Sequence, residues 1–291
     1  DSNTLVTTQR TASAKQLTPG QPTQEQPMSY QHLTVEKTKH IATVTLDRND
    51  NYNALSIDLM DELIQLCQEL HRDTDTRVVI FTGAGKNFCV GADFKDPKGA
   101  NEMQQTLLEV QRTTARGHQL IRSINEINQI TIAAVNGNAL GGGACISAAC
   151  DFRIGASDCN IGYPECNYAM NLQWGALPHC VHLVGPSRAK QLVILGNREN
   201  AETLLTWGFL DEIVEPELLI KTAVDMASQY AAQPPVAVQM IKRSVNQLVS
   251  ALDNAIMHMD TDQFILATRT EDFNEGLAAS FEKRTPDFKG N

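Results

Sequence analysis

No stretch of this chain stays apolar over the roughly 18 residues that a membrane-spanning helix requires, so a helical membrane protein is not expected. Positive charge is in deficit. The 24 lysines and arginines face 34 aspartates and glutamates, leaving a formal net charge of −10. That balance argues against nucleic acid or an anionic membrane as partner, since both attract basic protein. A local basic patch could still hold a charged ligand. Seven cysteines (67, 89, 145, 150, 159, 166 and 180) are an odd number without a C-x-x-C pair. They read as reduced, mostly buried thiols of an intracellular protein, not as a disulfide framework or a zinc site. No metal is expected.

Residues 1–28 lack the apolar core of a signal peptide. They are rich in Thr, Gln, Ser and Pro, end at Met28, and read as a flexible leader, a cloning remnant or an upstream start. Only Arg10 and Lys15 are basic there, which gives a transit peptide thin support. A cytoplasmic location follows, or a mitochondrial or peroxisomal one in a eukaryotic cell.

The chain has 291 residues, 42% hydrophobic and 20% charged, enough for one large domain and an appendage. From Tyr30 onward the patterning is regular. Ile41–Leu46 alternates, with Ala42, Val44 and Leu46 on one face of a strand. Ser56–Leu70 opens on an N-cap serine and carries Leu59, Leu63, Leu66 and Leu70 at helical spacing. Strands are expected at Arg77–Thr82, Thr131–Val135 and Asp151–Ile154, with a long helix over 102–127. Alternating strands and helices define an α/β class. After about residue 217 the strand signals stop, and 217–232, 235–254 and 255–280 read as helices, Pro234-Pro235 marking a joint. The expected organisation is a leader (1–28), an α/β core (29–216) and a helical region (217–291).

The run N-G-N-A-L-G-G-G-A-C from Asn136 to Cys145 places three glycines between a strand and a helix. It lacks the lysine-serine ending of a phosphate loop and the acid that would complete a dinucleotide fingerprint. Unpaired N–H groups at a helix start could instead form an oxyanion hole. Close packing of a strand-to-helix turn needs glycine equally well. A second small-residue turn, N-F-C-V-G-A-D-F-K from Asn87 to Lys95, also follows a strand.

Together the two turns resemble the crotonase (enoyl-CoA hydratase/isomerase) superfamily. The likeness runs from about Tyr30 to the C-terminus. It includes N-A-L at Asn53–Leu55, Cys150-Asp151, I-G-Y-P-E at Ile161–Glu165, L-V-G-P-S-R-A-K-Q-L at Leu183–Leu192 and F-E-K-R-T-P-D-F at Phe281–Phe288. The resemblance implies a crotonase-like spiral of ββα turns with a helical C-terminal trimerisation region. It implies an acyl-CoA substrate whose thioester oxygen is held by the N–H groups of Ala92 and Gly142. Such donors bind the enolate more strongly than the ground-state carbonyl, and one is worth on the order of 3 kcal/mol of barrier.

Family hydratases carry two glutamates. Here the second is retained as Glu165, while Cys145 stands where the first would be. Cys145 reads as a small filler lining the site, because a nucleophilic thiol would need a base or cation beside it. One carboxylate suffices for moving a double bond, provided burial raises its pKa towards neutrality. Hydration is harder, because the attacking water loses an orienting partner. Tyr163, Tyr168, Met170, Leu172 and Trp174 offer apolar walls, and the 97–125 segment an acyl tunnel. By resemblance, coenzyme A would lie along Ala54, Leu55, Gly91, Asp93 and Lys95, with Phe281 and Lys283 or Arg284 reaching it from a neighbouring subunit of a trimer or dimer of trimers. Coenzyme A belongs to the substrate, and no permanently bound cofactor is expected. The expected activity is therefore that of a fatty-acid-type enoyl-CoA isomerase (or hydratase, a lyase) with a single glutamate. Thioester hydrolysis, decarboxylation and a non-catalytic CoA-binding scaffold are the alternatives.

Overall fold

The computed structural model describes residues 30–98 and 105–291. The leader assigned to 1–28 and the first residues of the helix expected over 102–127 lie outside the described residues. Strands β1 (Leu33–Thr38) and β2 (Ile41–Leu46) form an antiparallel hairpin, and Ala42, Val44 and Leu46 are its fully buried face. Helix α1 (Ile57–Arg72) begins where Ser56 accepts a hydrogen bond from the Leu59 N–H. The four leucines at helical spacing are all buried.

Three ββα turns follow. The first is β3 (Val78–Gly83), β4 (Asn87–Cys89) and α2 (Leu107–Glu126), whose Thr106 and Glu109 close a capping box. The second is β5 (Ile130–Val135), β6 (Asn138–Leu140) and α3 (Gly142–Ala149). The third is β7 (Phe152–Ala156), β8 (Asn160–Gly162) and α4 (Ala176–Leu195), the last bent at Gly185-Pro186. Then come β9 (Glu199–Asn200), α5 (Ala201–Trp207) and β10 (Glu212–Val214). The first strand of each turn joins a six-stranded sheet, β1-β2-β3-β5-β7-β10, and the second joins a four-stranded one, β4-β6-β8-β9. The chain therefore spirals between two sheets. β3 and β5 are buried at every residue, as a parallel sheet covered on both faces requires.

Where the backbone leaves one sheet for the other it loses its ladder partners, and asparagine side chains replace them. The Asn136 amide accepts from the Gly83 N–H at 3.0 Å and donates to the Gly83 carbonyl at 2.8 Å. The Asn53 amide, fully buried, donates to the carbonyls of Ala84 and Asn87.

The helical region holds α6 (Leu219–Ala231), α7 (Pro235–Val249), α8 (Asn254–Met257), α9 (Asp260–Ala267) and α10 (Glu271–Glu282). The single helix expected over 255–280 is thus three. Asp260 is buried, its carboxylate accepting from the Gly175 N–H, and Thr270 caps a fresh helix through the Phe273 N–H. The region is tied to the core by Lys242 of α7. Its buried ammonium sits 2.7 Å from Asp151 and donates to the Gln129 carbonyl. Asp151 also accepts from the N–H and hydroxyl of Thr131. Among the described residues no helix is long and apolar enough to cross a membrane, and no His, Cys, Asp or Glu cluster could hold a metal. All seven cysteines are free thiols, six of them buried.

Candidate active site

The two small-residue turns meet because β4 and β6 are parallel neighbours. Cys89 pairs with Ala139, and three residues beyond each lie Ala92 and Gly142. Leu55 holds the first turn. Its N–H donates to the Gly91 carbonyl at 2.8 Å and its carbonyl accepts from the Asp93 N–H at 3.0 Å. In this parallel pairing Ala92 turns its own N–H away from Leu55. Gly142 opens α3, where an N–H has no carbonyl four residues back inside the helix. Neither amide donates to a protein acceptor among the described residues.

Each glycine of the run has its own steric reason. Gly141 adopts φ +51° and ψ −117°, unfavourable for residues with a side chain, and a Cβ there would stand 3.0 Å from Glu165 Oε1. A Cβ on Gly142 would enter the Trp174 ring at 2.4 Å, and one on Gly143 the Cys89 carbonyl at 2.1 Å. Close packing and exposed amides therefore coexist in this run.

Glu165 follows β8 on a 3-10 turn, Pro164–Tyr168, that starts with proline and closes with the Met170 N–H on the Glu165 carbonyl. Its Oε2 is buried without a hydrogen-bond partner among the described residues. Burial disfavours the charged carboxylate and pushes its pKa up to about 7, against a smaller opposing hydrogen bond from its own N–H. A cavity of about 110 Å³ opens beside it, bounded by Val90–Ala92, Gly141–Gly142, Cys145, Glu165, Tyr168, Met170, Leu172, Trp174 and Phe264. A larger cavity of about 740 Å³ lies under α7, but neither amide nor Glu165 borders it. The smaller one is bordered by Ala92, Gly142 and Glu165 together.

Cys145 is 2% exposed on the cavity wall. Its thiol is pushed well above the ordinary range, first by burial and then by Glu165, Cys180 and Cys89 nearby. Burial therefore favours the protonated thiol.

The residues expected along coenzyme A separate into two groups. Ala54, Leu55 and Gly91 are buried at the turn beside the two amides. The Asp93 carboxylate is taken up by Arg48 at 3.0 Å and Asn51 at 2.8 Å, and it also accepts from the Lys95 N–H. It holds the turn from within. Lys95 is exposed, as are Phe281 and Lys283 at the end of α10. Arg284 pairs with Glu275 and Glu282 of its own chain.

Two contributors had no signal in the chain's motifs. Phe264 comes from α9 in the helical region to wall the cavity. Gly276 of α10 packs on the backbone of Tyr168, bracing the turn that carries Glu165. Only the helical spacing of small residues in α10 hinted at such an approach.

The spiral of ββα turns, with two amides converging beside one buried carboxyl, is the crotonase architecture. The chain belongs to the enoyl-CoA hydratase/isomerase family, whose model matches residues 36–291. It is 32% identical over 258 residues to the short-chain-enoyl-CoA hydratase of Clostridium acetobutylicum, covering 88% of this chain and 97% of that one. It is 29% identical over 256 residues to the 1,2-epoxyphenylacetyl-CoA isomerase of Escherichia coli, covering 87% and 96%. The crystal structure of an enoyl-CoA hydratase from Bacillus anthracis superposes with a TM-score of 0.71 at 32% identity, over 90% of this chain and all of that one. It is an acyl-CoA enzyme of the hydratase/isomerase type.

Proposed function

We propose that the enzyme moves a double bond in an enoyl-CoA thioester, with Glu165 as the one proton carrier. The observation that carries this reading is the pairing of Glu165, buried and near neutrality, with an un-ionised Cys145 on the same cavity wall. The Glu165 carboxylate takes a proton from C2 of a 3-enoyl thioester. Electrons move into a dienolate whose oxygen accepts from the Ala92 and Gly142 N–H groups. Glu165 then returns the proton to C4, leaving the double bond between C2 and C3. The amides cost no reorganisation as charge develops, which is why preorganised donors lower the barrier.

Hydration needs a water held and deprotonated at C3 while C2 receives a proton. A positioned acid or base contributes about 10²–10⁴-fold, and Cys145 supplies neither. Coenzyme A, as part of the substrate, would run along Ala54, Leu55 and Gly91, with Lys95 available to its phosphates. Association of copies through the helical region, where Val236, Leu248 and Leu252 are exposed apolar residues, would bring Phe281 and Lys283 towards a neighbour's site.

The test is a paired assay of the purified protein and Glu165→Gln on 3-enoyl-CoA and 2-enoyl-CoA. Conversion of the 3-enoyl thioester, lost in the variant, supports the double-bond shift. Brisk hydration of 2-enoyl-CoA by the wild-type protein would establish the second reading, which the name of the Clostridium relative favours.

A further inference from the structure

Trp174 is held in an unusual way. Its backbone has φ +67°, a region that bulky residues rarely enter and that persists only where the surroundings enforce it. The enforcement is visible one residue on. The Gly175 N–H donates to the buried Asp260 carboxylate at 2.7 Å, and a Cβ on Gly175 would meet Met257 at 2.5 Å. The helical region therefore fixes the backbone that aims the indole.

The indole itself lies in a slot made by two glycines. A Cβ on Gly117 of α2 would fall 2.0 Å from its Cε2 and Nε1, and one on Gly142 of α3 would fall 2.4 Å from its Cζ3. Neither neighbour has a side chain, so the ring fills the seam between α2 and α3 directly behind the Gly142 amide. Met170, Leu172 and Phe264 wall the same cavity. The remaining space is about 110 Å³, well below the roughly 300 Å³ at which pockets for drug-sized ligands begin.

We propose that Trp174 is the chain-length stop of this enzyme, restricting it to thioesters of short acyl groups. This rests on the acyl-CoA reading above and adds the substrate class to it. Trimming the indole would open the cavity into the α2–α3 seam, where the bare faces of Gly117 and Gly142 leave a path for a longer chain.

The test measures binding, so it does not depend on which reaction the enzyme runs. Butyryl-CoA, decanoyl-CoA and free coenzyme A are titrated calorimetrically into the wild-type protein, Trp174→Ala and Trp174→Phe. The wild type is expected to bind butyryl-CoA at least about tenfold more tightly than decanoyl-CoA, since pocket mismatch by even one methylene is worth about that much. Trp174→Ala is expected to tighten decanoyl-CoA by about tenfold or more, with free coenzyme A unchanged, and Trp174→Phe to fall between. Equal affinity of the wild type for the two thioesters overturns the proposal, whether or not Trp174→Ala folds. So does a butyryl-to-decanoyl ratio that neither variant moves. Failure of the wild type to bind any of the three ligands overturns the acyl-CoA reading as well, a result distinct from lost discrimination.

Discussion

Glu165 and Gly141 share one space: the carboxyl oxygen Oε1 sits 3.0 Å from where a Gly141 Cβ would stand. A side chain at 141 would displace the carboxyl that the cavity is built around. Gly141→Ala is expected to lower kcat on 3-enoyl-CoA by at least about tenfold, of the order reported for misplaced catalytic groups. Steady-state kinetics beside a circular dichroism spectrum would separate this from unfolding. Unchanged kcat would mean that the carboxyl does not work from this position.

Glu165 must be ionised to accept a proton, and burial holds its pKa at about 7. Isomerisation is therefore expected to rise with pH through about 7 and then level off. Glu165→Gln should reduce it by about 10²–10⁴-fold on the plateau above pH 7, with the gap narrowing as pH falls. A pH–rate profile of kcat/KM reads this directly, and a limb near 4 to 5 would contradict the buried placement.

The same shift has a stability consequence of opposite sign. Because the folded-state pKa is raised from 4.5 to about 7, the native protein holds more protons than the unfolded chain between those values. Stability contributed by this site therefore falls as pH rises through that window. At pH 8, Glu165→Gln should be the more stable protein, by up to about 3 kcal/mol, and at pH 4 the difference should vanish. Urea unfolding at the two pH values measures it.

Cys145 occupies the wall where a second carboxyl would face Glu165. Cys145→Glu is expected to gain hydration of 2-enoyl-CoA while losing stability, because two carboxyls in one apolar cavity cannot both ionise. Cys145→Ala should retain the double-bond shift within a few-fold. Loss of that activity in the alanine variant would give the thiol a chemical role.

Lys242 and Asp151 form a bridge of 2.7 Å with side chains only 4% and 16% exposed. Removing one partner strands the other charge, which costs about 3–5 kcal/mol for a buried pair. Lys242→Met should lower the unfolding free energy by about that amount, while any protein that remains folded keeps its KM. A melt within a degree of wild type would show that water already screens the pair.

Elements whose burial is written into their own periodicity were legible from the residues alone. Ala42, Val44 and Leu46 alternate because β2 has one buried face, and Ser56 announces α1 because its hydroxyl caps the helix. The largely apolar runs of β3 and β5 were equally plain. The second sheet was not, because β4, β6 and β8 have three residues each and β9 two, too few to show a period. The break at Thr270 was readable in principle from Thr270-Glu271-Asp272, a cap followed by acids, but the apolar spacing on both sides masks it. Within the site, the glycine run and Glu165 stood out through their order along the chain. Phe264 and the Trp174 slot did not, since both depend on contacts between segments distant in sequence.

The pairing of Cys89 with Ala139 also sets a ruler. Adjacent strands in any sheet lie about 4.8 Å apart, and the two amides sit at matching steps beyond that pair. Backbone hydrogen bonding in the small sheet thus brings the two turns side by side, so side chains around the cavity can change without separating them.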